Sequence, residues 1–311
     1  MTKKNELRAF DRPVDSTFLA EYLGCEHVGS ALKVTFVSDV AGAEPGAIFF
    51  QDKGVGDLEG VTSIVQTGLE GQLSPKCTYI LSLNPKLDMA RVVELLFAQK
   101  KRADHAEHAF IDNTAVIGEN VRIGVGAVIE ANVSILENSC IGANVVIKSG
   151  ITIGKGCTIA DGAIIGNDGL TTTKDEFGRD ITFRHVGELV LGDNVEVGAN
   201  ATIGRATLGV ATIGNNTIIG PQVNVGHNGC IGENVIVTGC SCIAGSAKIG
   251  DNSFIGANCS VKDGITIGKG CVIGIGSSVT KNVPDGATVT GFSAMSLREL
   301  QTARVQWKRD R

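Results

Sequence analysis

One histidine and one glycine carry the chemistry most readable in this chain. His227 follows Val225 by two residues, and eighteen residues further on stands Gly245, within Ala244-Gly245-Ser246. If eighteen residues make one full turn of the chain, an imidazole and a backbone N–H lie on adjacent rungs. Those are the two parts needed to deprotonate a nucleophile and to hold a developing oxyanion, and acyl transfer from a thioester requires little more. His27, His105, His108 and His185 show no such arrangement; His105 and His108 stand at i, i+3 in a polar stretch and read as solvated. No convergent His, Asp or Glu cluster calls for a metal, and Cys240 and Cys242 lack the spacing of a metal knuckle or redox pair.

The eighteen-residue turn follows from a six-residue beat. Steps of six from Ile117 land on Ile123, Ile129, Ile135, Ile141, Ile147, Ile153, Ile159 and Ile165. The beat resumes at Leu191, Val197 and Ile203, then runs from Ile213 to Val279. Gly usually follows each beat and a small residue stands two positions before it, as at Ala115, Ser139, Cys157 and Ala247. One aliphatic side chain per six residues fills a narrow interior, and such short strands must stack turn upon turn. This is a parallel β-helix of hexapeptide repeats, with roughly eight coils expected at three beats per coil. Corner residues such as Asn120, Asn144 and Asn252 tolerate positive φ. A β-sandwich alternates with period two and has no reason to hold this register.

Composition divides the chain. Of 311 residues, 41 are Gly and 5% aromatic, because a thin prism has little room for rings. Phe10, Phe18, Phe36, Phe49, Phe50 and Phe97 cluster upstream of the repeats, where a conventional core is built. Residues 1–108 read as an α/β domain and linker, with strands at 34–40, 47–50, 63–66 and 78–83 and a helix at 87–99; residues 109–290 read as the β-helix; residues 291–311 read as a C-terminal helical extension. The net charge of -5, with no basic patch or aromatic ladder, argues against a nucleic-acid partner. No export signal or membrane span is visible, and the nine Cys read as reduced, core or near-core thiols of a cytoplasmic protein.

Two interruptions break the beat. Residues 167–188 are too polar for a rung and must loop out, and loops on a rigid scaffold commonly carry binding groups. Between Arg205 and Val210 four extra residues imply a smaller bulge that shapes the same region.

Almost the whole chain resembles the UDP-3-O-acylglucosamine N-acyltransferases of lipid A biosynthesis, within the hexapeptide-repeat acyltransferase superfamily. The resemblance rests on Leu83-Asn84-Pro85 with Ala90-Arg91, Ile165-Gly166-Asn167-Asp168-Gly169, Val197-Gly198-Ala199-Asn200-Ala201-Thr202-Ile203, Gly226-His227-Asn228 with Ala244-Gly245-Ser246, and Gly291-Phe292-Ser293-Ala294-Met295. It implies a left-handed β-helix, a homotrimer with sites between subunits, and transfer of a 3-hydroxyacyl chain from acyl carrier protein to the 2-amine of a UDP-linked glucosamine. His227 matches the general base, Gly245 the oxyanion donor and Phe50 an aromatic that stacks on uracil. Asn224, Asn228 and Arg205 match substrate-side positions. No cofactor is permanently bound; acyl-phosphopantetheine, on carrier protein or coenzyme A, is the co-substrate. The basic stretch Ser296 to Arg311 suits an acidic carrier protein.

The chain departs from the pattern on the substrate side. Lys53 and Gly56 replace the family's Asn and Tyr near the uridine, Asn224 and Gly220 replace its Gln and Asp before the catalytic His, and Gly264 stands at its second His. Gly204, Leu170 and Leu300 also differ from it. Two other readings therefore stand beside the first: an acyl-coenzyme A-dependent N- or O-acyltransferase acting on another nucleotide sugar, and a non-catalytic scaffold that binds a partner along its flat faces.

Overall fold

The structure is a computed structural model that describes residues 9–51, 58–69, 74–97 and 108–291. The chain separates into two compact units, Met1–Arg102 and Ala103–Arg311. Lys53, Gly56, His105 and the expected C-terminal helix from Ser296 lie outside the described residues.

In the first unit the strands β1 (Ala9–Asp15), β2 (Glu26–Val28), β3 (Lys33–Val37), β4 (Ala47–Gln51), β5 (Thr62–Gln66) and β6 (Thr78–Ser82) form one sheet in the order β1-β3-β4-β5-β6-β2. The central pairs are parallel and both outer strands antiparallel. Helices α1 (Ser16–Leu23) and α2 (Pro85–Phe97) accompany the sheet. Leu19, Ile48, Ile64, Ile80, Met89 and Val92 form one buried cluster; Phe36, Phe49, Val65 and Tyr79 form another. Successive residues of β4 alternate sides, so Ile48 and Phe49 enter different clusters. The four expected strands and the second helix are present within a few residues. The first helix and the two outer strands are additions, because short elements leave little periodic signal.

The second unit is the β-helix. Its two-residue strands stack into three parallel sheets of 9, 8 and 9 strands. The second sheet gains its ninth rung from an isolated bridge, Ile267 to Val283, giving nine coils where the beat suggested about eight. The added coil starts before the counted beat, at Phe110–Ile111. Regular neighbours lie eighteen residues apart: Val225 pairs with Ile243, and Ile243 with Val261. The beat residues and the small residues two before them are buried along the rod in one continuous core, from Val121 to Val283. Each buried Ile or Val supplies about 1.5–3 kcal/mol, spread along the rod rather than concentrated at a centre.

The corners explain the Asn and Gly residues. Asn120, Asn144 and Asn252 adopt φ of 57°, 55° and 59°, the left-handed region that Asn enters at low cost. Cys157, Cys259 and Cys271 are buried, as their inward positions require, and the nine cysteines are free thiols. Cys240 and Cys242 correct the expectation of core or near-core sulfur: both are exposed. Cys240 occupies a left-handed corner, and Cys242 precedes inward-facing Ile243 and so points out. Among the described residues, no helix is long and apolar enough to cross a membrane.

Candidate active site

His227 occupies the corner after the strand Asn224–Val225, half-buried, and the next coil carries Gly245 directly against it. The Ser246 N–H donates to the His227 carbonyl at 2.7 Å, which locks the two corners in register. The imidazole lies where a Gly245 side chain would be. A methyl group built there falls 2.6 Å from Nε2, 2.9 Å from Cε1 and 3.0 Å from Cδ2. Glycine at 245 is therefore what admits the ring.

The Gly245 N–H differs from those corners that an Asp of the following coil caps. Two residues past the beat, four corner N–H groups are capped by an Asp of the following coil: Ala143 by Asp161, Lys155 by Asp193, Glu233 by Asp251 and Lys269 by Asp285, each at 2.8–3.0 Å. Asp263 holds the corresponding place above Gly245, yet among the described residues the Gly245 N–H has no protein acceptor. An uncapped N–H beside an imidazole is a donor free for a developing oxyanion.

Asn228 sets the ring's protonation. Its Oδ1 accepts the backbone N–H of Thr207 at 2.7 Å, so the amide orientation is fixed by a group that can only donate. Nδ2 then faces His227 Nδ1 at 3.0 Å and donates to it. The neutral imidazole consequently carries its hydrogen on Nε2, the nitrogen beside Gly245. Accepting a proton at Nε2 requires the other tautomer, with hydrogen on Nδ1 and an acceptor opposite it. Asn228→Asp supplies that acceptor while keeping the Thr207 contact. We expect the 15N shifts of His227 to move the proton to Nδ1, and kcat to rise about fivefold, the worth of a hydrogen bond of about 1 kcal/mol.

Both interruptions converge on this corner. The insertion is an ordered hairpin: Thr172–Lys174 pairs antiparallel with Asp180–Thr182, and Asp175 accepts the N–H groups of Phe177 and Arg179, each at 2.9 Å, to close its turn. The Arg205–Val210 bulge delivers Thr207 to Asn228. His185, set aside in the sequence, is 2% exposed, with its ring centroid 4.9 Å from that of His227 at an interplanar angle of 69°. Its pKa is held below 6.5, chiefly by burial, then by repulsion from His227; Arg205 adds to the lowering and Asp168 opposes it. The insertion breaks the eighteen-residue count, so no spacing rule connects His185 with His227. The available signal was its position at the loop's return to the coil.

The other expected site residues take varied places. Arg205 is half-buried and donates from Nε to the Gly187 carbonyl at 2.9 Å and from a terminal nitrogen to the Ser149 carbonyl at 2.5 Å. It thus ties the insertion's return to the coil, and it also lines a pocket of about 830 Å³ with Lys148, Asp168, Arg184 and His185. Asn224 points outward between Thr202 and Cys242. Phe50 is the exposed ring and Phe49 the buried one, as expected of adjacent aromatics on a strand. Gly220 packs against backbone, since a methyl there would fall 2.8 Å from the Gly239 nitrogen. Gly264 lies at φ +68° with open space around it. Among the described residues, no group of three or more His, Cys, Asp or Glu could hold a metal ion.

Comparison with known proteins agrees with this architecture. The family "Hexapeptide repeat of succinyl-transferase" matches residues 132–167 and 247–281, and "Bacterial transferase hexapeptide (six repeats)" matches residues 114–149. UDP-3-O-acylglucosamine N-acyltransferase of Coxiella burnetii (strain RSA 493 / Nine Mile phase I) is 30% identical over 236 residues, covering 67% of this chain and 68% of that protein. The chain belongs to the UDP-3-O-acylglucosamine N-acyltransferase family. Among solved structures, the UDP-N-acetylglucosamine acyltransferase of Francisella novicida aligns with a TM-score of 0.56 at 28% identity, covering 64% of this chain and 73% of that one. The enzyme of that name from Bacteroides fragilis 9343 aligns at 0.54 and 30%, covering 64% and 77%. This member of the family is an acyltransferase, and its coil is a left-handed parallel β-helix, an exception to the usual right-handed crossover.

Proposed function

We propose that the protein transfers a 3-hydroxyacyl group from the phosphopantetheine thioester of acyl carrier protein to the 2-amine of UDP-3-O-acylglucosamine, a step of lipid A biosynthesis in the cytoplasm. The observation that carries this reading is the His227 imidazole lying against Gly245, whose N–H is uncapped although Asp263 stands where other aspartates cap their corners. The amine nitrogen attacks the thioester carbonyl, forming the C–N bond, and His227 Nε2 takes the amine proton in the Nδ1–H tautomer, which the ring reaches when the Asn228 amide turns its Oδ1 from the Thr207 N–H to Nδ1. Negative charge on the carbonyl oxygen is received by the Gly245 N–H. Collapse breaks the C–S bond, and the proton passes from His227 to the leaving thiolate, returning the imidazole to neutrality.

In this reading Phe50 supplies a face for the uracil, and Asn224 and the Arg205 region meet the sugar nucleotide. Subunits assemble as a homotrimer. Support comes from an apolar stripe on the third face, where Ile218, Ile236, Phe254 and Val272 point outward on four successive rungs and are exposed. Arg298, Arg304, Lys308, Arg309 and Arg311 give the C-terminal stretch the charge that an acidic carrier protein would meet.

The test is mass-spectrometric detection of N-acylated product when the purified chain meets UDP-3-O-acylglucosamine and 3-hydroxyacyl carrier protein. Product that disappears with His227→Ala supports the reading. No product from folded protein sinks it. A second reading, acylation of another nucleotide sugar from acyl-coenzyme A, is favoured by Gly220, which offers the substrate side no carboxylate where the family commonly has one. Product with acyl-coenzyme A and a different nucleotide sugar alone would select it.

A further inference from the structure

The strongest feature outside the proposed catalytic pair is the second imidazole. His185 stands where the insertion rejoins the coil, and two hydrogen bonds fix its tautomer. The Gly169 N–H donates to Nδ1 at 3.0 Å, so Nδ1 must be unprotonated. Nε2 therefore carries the hydrogen and faces Thr171 Oγ1 at 3.2 Å. Gly169 is wedged between the two rings. A methyl built on it would lie 2.5 Å from His227 Cδ2, 2.8 Å from His227 Cβ and 2.8 Å from His185 Cε1. The opening of the insertion is thus held by His185 on one side and pressed against His227 on the other.

We propose that His185 is a positioning residue: in its neutral form it latches the Gly169 backbone against His227 and so holds that imidazole over Gly245, and protonation of His185 opens the latch. The inference rests on the reading of His227 as the general base. Adding a proton to neutral His185 places it on Nδ1, opposite the Gly169 N–H, and turns an acceptor into a second donor. The charged and titratable groups around the ring are His227 on the next corner, Arg205 in the bulge, Arg184 beside it and Asp168 at the loop's opening. Burial, His227 and Arg205 oppose the charged form, and Asp168 favours it. Because the folded pKa lies below 6.5, neutral His185 contributes fully to stability above that pH. The contribution is lost as pH falls from 6.5 toward the depressed value, and the latch opens on the acid side only.

The experiment compares the full chain with His185→Asn and His185→Leu. Asn Oδ1 can take the place of Nδ1 as acceptor for Gly169 and does not titrate; Leu removes the latch. Readouts are kcat and KM from pH 5 to 8 and the NMR signals of the His227 ring. At pH 7.5 we expect His185→Asn to keep kcat within about threefold. His185→Leu should lose about 10–100-fold in kcat with little change in KM, the scale on which small misplacements of a catalytic group act. On the acid side the wild-type rate should fall more steeply with pH than that of His185→Asn, because only the wild type loses the latch to protonation of His185. If His185→Leu keeps the wild-type kcat, or its His227 signals are unmoved, the latch is wrong. If His185→Leu does not fold, an acid limb in His185→Asn as steep as that of the wild type overturns the inference by itself. Retained activity in His227→Ala would instead overturn the reading of the base, while the His227 ring signals in His185→Leu still judge the latch.

Discussion

His227→Ala should lower kcat about 10²–10⁴-fold while leaving the fold intact. The size follows from what the ring does in the proposed reaction: it removes a proton from an amine in the transition state, a contribution commonly worth that factor. Substrate is held by other groups, so KM should move far less than kcat, as happens when an interaction made only in the transition state is deleted. The corner tolerates the change because it leaves the buried beat residues untouched: Val225 and Ile243 still pair and pack. The Ser246 N–H bond to the carbonyl of residue 227 involves no side chain and survives as well. Single-turnover rates beside thermal midpoints check both halves of the expectation. Near-normal turnover would remove His227 from the mechanism, and a collapsed midpoint would show that the corner carries more structure than its contacts indicate.

The β-helix was legible in the sequence because its cause is local and repeated. One aliphatic residue per six must enter a narrow core, so the period survives even where chemistry varies, and the pairing of His227 with Gly245 follows by counting one coil. The count failed where the chain leaves the repeat. His185 lies within 5 Å of His227 by ring centroid only because the insertion folds back as a hairpin, and hairpin geometry depends on Asp175 and the turn it closes rather than on any period. The Asn228 amide is engaged by Thr207 and His227, partners that no spacing rule joins to it. That partnership depends on four extra residues in the preceding coil, which bring Thr207 into reach. The added coil at Phe110 and the outer strands of the first unit escaped notice because two- to seven-residue elements leave too few beats to count. Regular packing, and with it the His227–Gly245 pair, is thus written in the sequence as period, while His185 and Thr207 reach that pair from where the period is broken.

Gly245→Ala tests the other half of the pair, and we expect it to cost about 10² in kcat with the rod unchanged. Gly245 does not adopt positive φ, so alanine suits its backbone, and the substitution adds one methyl without imposing strain. That methyl falls 2.6 Å from His227 Nε2, too close for any real contact, so one of the two must move. The coil backbone is fixed by hydrogen bonds above and below: Ser246 N–H to the His227 carbonyl at 2.7 Å, and Gly264 N–H to the Gly245 carbonyl at 3.0 Å. The imidazole is the softer partner and must swing outward. Its Nε2 then leaves the position beside the uncapped Gly245 N–H, and the proton acceptor and oxyanion donor no longer face one reacting carbonyl. Displacements of about 1 Å in such groups are worth about 10²-fold. The same shift should strain the Asn228 bond to Nδ1, so the His227 15N signals should change together with kcat. Gly245→Ala with wild-type kcat and unmoved His227 signals would mean that the ring works from a different rotamer, and that the N–H beside it is not the donor the reaction uses.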